Sequence, residues 1–249
     1  MNADAEVVKG ALAPTPGAPE KAAVRSMFDR IAPRYDLLNR VLSAGIDVRW
    51  RRRCVDALAL PPTARVLDLC TGTADVLLEW LGRSRQAHGV GVDLSSGMLK
   101  HGELKIRRAG AAWRAALAAG DAERLPFRPE SFDGAVAAFG IRNVGDIDAA
   151  LREAARVLRP GGRFVILEFS IPRGVLGRLY RLYFTRVLPV LGGIVSGSRE
   201  AYAYLPASVD RFDTPEALGE RLARAGFAHV TKQPLSGGIA HLVSGEKLA

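Results

Sequence analysis

Apolar runs alternate with amphipathic helical patterns along most of the chain. The runs predict strands at residues 65–69, 88–93, 115–119, 132–138 and 163–169, with helices between them. The clearest helix is predicted over 147–158, because one face collects Ile147, Leu151, Ala154, Ala155 and Leu158. A turn is predicted directly after it, at Arg159-Pro160-Gly161-Gly162. Such alternation indicates a mostly parallel sheet with right-handed crossovers.

The first part of the chain departs from this alternation. Residues 1–20 are rich in Ala, Pro and Gly and show no apolar period, which predicts a disordered tail. Helical patterns around 22–28 and 48–58 predict an N-terminal helical cap that covers residues 21–62. The first strand follows near Arg65.

The last part of the chain completes the sheet. A helix is predicted at 215–225, followed by two closing strands at about 227–232 and 239–246. The hairpin between these strands turns at 234–238, where serine and two glycines follow a proline. We therefore expect a doubly wound α/β fold with seven strands, contained in a single domain over residues 21–249.

Residues 173–212 interrupt the alternation before those closing elements. The apolar positions of this insertion predict a helix over 176–190 that also carries Arg178, Arg181 and Arg186. One interpretation is a helix that packs on the sheet. The other is a helical lid over an apolar substrate, which also contacts a membrane.

Charge and composition narrow the function only partly. The chain has 249 residues and a formal net charge of +9, which favours anionic lipid or nucleic acid as a partner or reflects a solvated basic surface. A membrane-spanning apolar stretch and a secretory signal are both missing from the pattern. Cys54 and Cys70 have no metal-type spacing and fit a reducing cytoplasm, so we expect a cytoplasmic protein without a metal site.

The candidate chemistry lies where three predicted strands end. The first strand is followed by the small residues Gly72 and Thr73, the second ends in Asp93, and the third is followed by Asp121. Because ligands of open α/β sheets bind at the carboxyl ends of the strands, these residues predict a site for a nucleoside-type cofactor. The chain lacks Gly-x-Gly-x-x-Gly, which argues against a dinucleotide and makes S-adenosylmethionine the better candidate.

Each of these residues has a role in that cofactor hypothesis. The backbone N–H groups of Gly72 and Thr73 would bind the methionine carboxylate, and Asp93 would accept hydrogen bonds from both ribose hydroxyls. Asp121 would accept a bond from the adenine amine, while the N–H of Ala122 donates to the ring.

Two further points concern the same loops. Asp68 is included in the cofactor-binding set as the residue that organises the first loop. For Asp93, a structural alternative is that it caps the helix that follows the second strand.

The segment after the fourth strand is the candidate acceptor site. It reads Phe139-Gly140-Ile141-Arg142-Asn143 and faces the same crevice. A buried Arg142 would need an anionic partner, and a phenolate-like substrate would provide one. The four histidines are scattered and are expected to be structural.

The chain resembles the ubiquinone/menaquinone biosynthesis C-methyltransferases, a family of class I S-adenosylmethionine-dependent enzymes with a Rossmann-like fold. The resemblance runs from about Met27 to Lys247. Its most specific stretches are Tyr35-Asp36-Leu37-Leu38-Asn39, Phe139-Gly140-Ile141-Arg142-Asn143 and Tyr204-Leu205-Pro206.

The resemblance implies a cofactor, a substrate and site residues. It implies that S-adenosylmethionine is bound by Thr73, Asp93, Asp121 and Ala122 and leaves as S-adenosylhomocysteine. The methyl group would go to a ring carbon of a prenylated quinol, with demethylmenaquinol favoured over a methoxy-polyprenyl-benzoquinol. The resemblance places Tyr35, Arg142 and Asn143 around the quinol, with Arg142 and an ordered water as the proton-accepting machinery.

Two positions depart from the family pattern. Ala74 replaces a glycine, which is tolerated if φ is negative there. Ala138 replaces a serine that often contacts the cofactor, and the lost hydrogen bond is worth about 1 kcal/mol.

Two other function classes remain as alternatives. A nucleic-acid methyltransferase would explain the charge, but no RNA-binding module or basic–aromatic stripe accompanies it. A non-catalytic binding protein is the second alternative, although Asp93 and Asp121 are intact. The sequence leaves both a monomer and a homodimer open, and it also leaves open peripheral contact with anionic lipid at the inner face of a membrane.

Overall fold

A seven-stranded sheet with helices on both sides forms the centre of the protein. The computed structural model describes residues 20–172, 174–187 and 199–248. The strands are β1 (Arg65–Leu69), β2 (His88–Asp93), β3 (Ala115–Ala119), β4 (Phe132–Ala138), β5 (Leu158–Phe169), β6 (Phe227–Leu235) and β7 (Ala240–Lys247). Their order in the sheet is β3-β2-β1-β4-β5-β7-β6, and every neighbouring pair is parallel except those that include β7. The predicted mostly parallel, seven-stranded sheet is confirmed.

The helices are numbered in chain order. They are α1 (Lys21–Ile31), α2 (Tyr35–Leu42), α3 (Ile46–Asp56), α4 (Asp75–Gly82), α5 (Ser96–Arg108), α6 (Ile147–Val157), α7 (Gly174–Leu182), α8 (Arg199–Arg211) and α9 (Pro215–Arg224). Short 3-10 turns cover Ala32–Arg34, Ile141–Asn143 and Ser236–Gly238, and a π-helical turn covers Tyr183–Val187.

The strand order positions the site. β1 lies between β2 and β4, so the strand order changes direction between β1 and β4. In doubly wound folds the crevice at such a reversal, outside the carboxyl ends of the strands, is where ligands bind. The ends of β1, β2 and β4 therefore meet at one place.

Most of the observed helices and strands begin and end within a few residues of the predicted positions. The first four strands coincide with their predicted ranges. The fifth differs, because β5 begins at Leu158 instead of residue 163 and takes up the predicted turn as an irregularity in its pairing with β4. Gly161 adopts a φ of 76° in this stretch, a conformation that glycine accommodates without steric cost.

The N-terminal helices and the insertion pack together. Met27, Ile31 and Leu38 of the first two helices share a core with Met98 of α5 and Val209 of α8. The insertion is helical as predicted, but α7 ends at Leu182 and continues as the π-helical turn, and residues 188–198 lie outside the described residues. The predicted tail over residues 1–20 also lies outside them, apart from Glu20.

Within the described part of the chain, no helix combines the length and hydropathy that crossing a membrane requires.

Candidate active site

Asp68 organises the turn between β1 and α4, as the sequence indicated. One of its carboxylate oxygens accepts a hydrogen bond from the Thr71 hydroxyl at 2.6 Å and another from the Leu77 N–H at 3.2 Å. Burial raises the pKa of this carboxyl to about 7, although both hydrogen bonds oppose the shift. Asp68 is buried and lines neither of the two cavities described below.

The turn itself is tightly wound. Cys70, Gly72 and Ala74 have φ values of 53°, 55° and 65°. The condition that made Ala74 an easy replacement for glycine was a negative φ, and this condition is not met. A left-handed conformation costs an L-residue about 1–2 kcal/mol, so Ala74 stores strain at the start of α4.

Asp93 closes the turn from the neighbouring strand. One oxygen accepts a hydrogen bond from the Gly72 N–H at 2.8 Å, and the other accepts one from the Ser95 N–H, also at 2.8 Å. The helix that follows is capped by Ser95, whose hydroxyl oxygen accepts from the Met98 N–H at 3.1 Å, so the alternative of Asp93 as its cap is wrong. Burial raises the pKa of Asp93. A carboxylate has about four acceptor positions, so part of its capacity remains for a ligand.

The Gly72 backbone N–H differs from its expected role, and the Thr73 side chain is bound within the protein. Because Asp93 holds the Gly72 N–H, that group is not free for a ligand carboxylate. The Thr73 hydroxyl donates to Asp36 at 2.5 Å and accepts from Lys105 at 3.1 Å. Gly72 lines the first cavity, but Thr73 lines neither. The structure thus ties the Thr73 side chain to α2 and α5.

Asp121 and Ala122 lie at the rim of the same crevice. One Asp121 oxygen accepts a hydrogen bond from Lys21 of α1 at 2.6 Å, and the other accepts one from the Glu123 N–H at 3.0 Å. Lys21 also pairs with the Glu123 carboxylate at 2.6 Å. Burial lowers the pKa of Lys21, but its bonds to the two carboxylates outweigh this effect and raise it overall. The bridge connects the start of α1 to the loop that follows β3, a contact that no pattern in the sequence indicated.

These loops surround a cavity of about 710 Å³, the cofactor cavity. Its walls combine the carboxylates of Asp93 and Asp121 with the backbone of Gly72 and Gly120 and the apolar side chains of Val92, Leu94 and Ala122. Ala138 also lines it and presents a methyl group where the family pattern often has a hydroxyl.

A second, larger cavity of about 1440 Å³ lies beside it, the acceptor cavity. Its lining is mainly apolar and aromatic and is supplied by α1, α2, α3, β5 and the insertion. Phe28, Tyr35 and Phe139 line both cavities. The two cavities therefore meet at these three rings, which is where a group bound in one would face a group bound in the other.

Arg142 is the polar residue of the acceptor cavity that the sequence singled out. Its side chain pairs with Glu168 of β5 at 2.7 Å, and the exposed fractions of the two side chains are 6% and 5%. The other Glu168 oxygen accepts from the Arg142 backbone N–H at 3.3 Å, and the Arg142 Nε–H donates to the Ser208 hydroxyl at 3.3 Å. The expectation that a substrate would provide the anionic partner is wrong, because Glu168 provides it.

Asn143 lies on the cofactor side of this arrangement, and Tyr35 lies where the two cavities meet. The Asn143 side-chain oxygen accepts a hydrogen bond from the Tyr204 hydroxyl of α8 at 2.9 Å, and Asn143 lines the cofactor cavity. Burial raises the pKa of Tyr35, although the Arg51 charge opposes the shift. Tyr35 is therefore protonated at neutral pH, and its hydroxyl forms a hydrogen bond with the Asn39 side chain.

Comparison with known proteins identifies the family. The sequence model of the ubiE/COQ5 methyltransferase family matches residues 17–247. The chain belongs to this family. It is 48% identical over 222 residues to a demethylmenaquinone methyltransferase of Thermus thermophilus, covering 89% of this chain and 100% of that protein. It is 46% identical over 226 residues to the ubiquinone/menaquinone biosynthesis C-methyltransferase UbiE of Geotalea daltonii, covering 90% of this chain and 96% of that protein.

Solved structures give the same result for the fold of this ubiE/COQ5 family member. A SAM-dependent methyltransferase of Thermotoga maritima superposes with a TM-score of 0.62 at 21% identity, covering 90% of this chain and 99% of that chain. This superposition confirms the expected Rossmann-like class I methyltransferase fold. The family match and the two relatives confirm the expected methyltransferase activity.

Proposed function

We propose that this methyltransferase transfers a methyl group from S-adenosylmethionine to a ring carbon of a prenylated quinol, with demethylmenaquinol as the preferred acceptor. The single observation that carries the proposal is the meeting of two unlike cavities at Phe28, Tyr35 and Phe139. One cavity has carboxylates at the strand ends, and the other is large and mainly apolar. This pairing suits a polar nucleoside cofactor beside a hydrophobic acceptor.

The residues of the cofactor cavity fit S-adenosylmethionine. Asp93 has acceptor capacity left for the ribose hydroxyls. Asp121 and the N–H of Ala122 would hold the adenine edge, with Lys21 sharing the Asp121 carboxylate. When bound, the cofactor supplies an electrophilic methyl group.

The acceptor must be the reduced quinol. Loss of a phenolic proton moves electron density onto the neighbouring ring carbon, which makes that carbon a nucleophile. The ring carbon would form a bond to the methyl carbon while the bond from that carbon to sulfur breaks, so that S-adenosylhomocysteine leaves. The ring carbon would then lose its own proton, and the ring becomes aromatic again. The protein has to bind the ring in position and to favour the loss of the first proton.

Arg142 is suited to favouring that proton loss as a hydrogen-bond donor. Its Nη1 is used by Glu168 and the Phe139 carbonyl, and its Nε by Ser208. Among the described residues no group bonds to the N–H groups of Nη2, so these can donate to an acceptor oxygen in the cavity. A guanidinium stays protonated in proteins, so Arg142 stabilises a phenolate, and the ordered water that the resemblance implies takes the proton.

The choice between the two quinols rests on the relatives. Relatives from Thermus thermophilus and Deinococcus radiodurans are named demethylmenaquinone methyltransferases and are 48% and 47% identical to this chain. Others carry names that cover both ubiquinone and menaquinone biosynthesis. Demethylmenaquinol is therefore the first acceptor to try, and the methoxy-polyprenyl-benzoquinol is the second.

The test separates cofactor binding from acceptor chemistry. Calorimetry with S-adenosylmethionine measures the first, and mass spectrometry of reactions with demethylmenaquinone, with and without prior reduction, measures the second. We expect cofactor binding and methylation of the reduced acceptor alone. Binding without methylation of either form would refute the assignment of the acceptor, and no binding would refute that of the cofactor cavity.

A further inference from the structure

Four apolar side chains are exposed around the mouth of the acceptor cavity. They are Leu37 and Val41 of α2, Ile46 at the start of α3, and Leu182 at the end of α7, and we refer to them as the apolar rim. Leu37, Val41 and Leu182 are 57%, 51% and 55% exposed. Burying such side chains is favourable, so a group of them on the surface indicates a contact with another apolar phase.

The rim is continuous with the cavity. Val41 and Ile46 line the cavity as well as being exposed, and Leu37 lies one turn before Val41 on the same face of α2. Leu182 is next to Tyr183, which lines the cavity and donates a hydrogen bond to the Leu42 carbonyl at 2.8 Å. The insertion and α2 therefore meet at the mouth, and an acceptor entering there passes the rim.

Exposed arginines accompany the rim. Arg49 and Arg53 follow Ile46 at helical spacing in α3, and all three are exposed. Arg178 lies one turn before Leu182 in α7, and Arg186 lies one turn after it, both exposed. The described stretch Gly174–Val187 holds three arginines and no carboxylate, and only Arg181 among them is shown paired, with Asp210 of α8 at 3.3 Å.

The carboxylates of the neighbouring cap do not cancel this charge. Asp36 pairs with Lys105 at 2.7 Å, and Asp47 pairs with Arg40 at 2.6 Å. Asp47 is buried. The outward surface around the rim is therefore cationic, which is complementary to anionic lipid headgroups.

We propose that the apolar rim and its arginines dock this protein on an anionic lipid surface, so that the acceptor cavity opens towards the bilayer. This inference rests on the proposed function, since a prenylated acceptor resides in lipid. The leucine and isoleucine side chains enter the region between headgroups and acyl chains, while the arginines contact the lipid phosphates. The acceptor then reaches Arg142 without crossing water.

Vesicle co-sedimentation tests the docking directly. The full chain is mixed with vesicles of phosphatidylcholine alone or with added phosphatidylglycerol, at low and at high salt. We expect binding that requires phosphatidylglycerol and weakens with salt. The double variant Leu37→Ser/Leu182→Ser and the charge variant Arg49→Glu/Arg178→Glu should each lower the partition coefficient by at least about tenfold.

Trp113 provides a matched control. It is 68% exposed, and its ring packs against His88. His88 is the first residue of β2, so Trp113 lies at the amino ends of the strands, while the cavities lie at their carboxyl ends. The variant Trp113→Ser removes more exposed apolar surface than either leucine change, yet it should bind the vesicles like the unaltered protein. An equal loss in Trp113→Ser and in the rim variants would overturn the proposal.

A second measurement separates this proposal from the proposed function. Leu37 and Leu182 line neither cavity, so their double variant should methylate a short-tailed, water-soluble quinol in buffer at the unaltered rate. The proposed function fails if no quinol is methylated in buffer, whatever the vesicles show. The docking proposal fails if the unaltered protein does not sediment with the anionic vesicles. It also fails if the rim variants change only binding to tRNA or the formation of dimers in ultracentrifugation.

Discussion

The pair formed by Arg142 and Glu168 allows the most detailed prediction. Both side chains are at most 6% exposed and lie 2.7 Å apart. Removing one member of a buried pair leaves an uncompensated charge and costs about 3–5 kcal/mol. In a chain of this size each kcal/mol lowers the melting temperature by about 2–4 °C, so Glu168→Ala should melt roughly 6–20 °C lower.

The conservative variant separates charge from hydrogen bonding. Glu168→Gln keeps an oxygen that can accept from Arg142, so it should lose only about 1–3 kcal/mol. We also expect its kcat to fall, because Arg142 is held less firmly, while its affinity for S-adenosylmethionine stays unchanged.

A double-mutant cycle in urea then isolates the pair. The double variant Arg142→Leu/Glu168→Leu should lose less free energy of unfolding than the sum of the losses of the two single variants. The coupling energy should be about 2–4 kcal/mol. If the single changes cost under about 1 kcal/mol each and add without coupling, the buried pair does not have the role assigned here.

Three further predictions concern the loops of the cofactor cavity. Ala74→Gly should raise the free energy of unfolding by about 0.5–1 kcal/mol, because φ is 65° there. A lower free energy of unfolding for this variant, measured in urea, would show that Ala74 is not strained. The raised pKa of Asp68, about 7, means that the stability this group contributes is full below about pH 4 and is lost as the pH rises through 7. Compared with Asp68→Asn, the unaltered protein should therefore lose about 1.4 kcal/mol per pH unit between about pH 4 and 7, and a pH-independent difference would refute this. Asp93→Ala should remain folded by circular dichroism but lose at least about a hundredfold in affinity for S-adenosylmethionine by calorimetry, and unchanged affinity would remove Asp93 from the ribose site.

The sheet could be predicted because its strands are nearly continuous apolar runs. In β1, Val66, Leu67 and Leu69 are all fully buried, as expected for a central parallel strand covered on both faces. Once the strands were placed, topology alone brought Asp93 and Asp121 to the same crevice. The position of both residues at the cofactor cavity therefore followed from local pattern and sheet order.

The partners of the site residues could not be predicted in this way. Glu168 is 26 positions from Arg142, and only the packing of β5 beside β4 brings them together. The sequence did contain an indication that Glu168 has a buried partner, because it is the one carboxylate in the apolar run 164–169. The Thr73 hydroxyl bonds to Asp36 and Lys105, and these partners could not be predicted from the loop because both belong to elements distant in sequence.

The backbone conformation of some residues could not be predicted from the sequence either. The sequence shows that Ala74 stands where glycine is usual, but φ at that position depends on how the whole turn from β1 to α4 closes around Asp68 and Asp93. The helix predicted over 176–190 is confirmed only up to Leu182, and residues 188–190 lie outside the described residues. Its apolar period continues beyond Leu182, where the backbone changes to a π-helical turn as Tyr183 bonds to the Leu42 carbonyl.

The most direct test of the account is a competition between acceptors. The purified protein receives methyl-labelled S-adenosylmethionine together with short-tailed demethylmenaquinol and the methoxy-benzoquinol analogue, and the products are identified by mass and by the position of the label. We expect label on a ring carbon, first on the naphthoquinol. Label on neither quinol, from a protein that binds the cofactor, would contradict it.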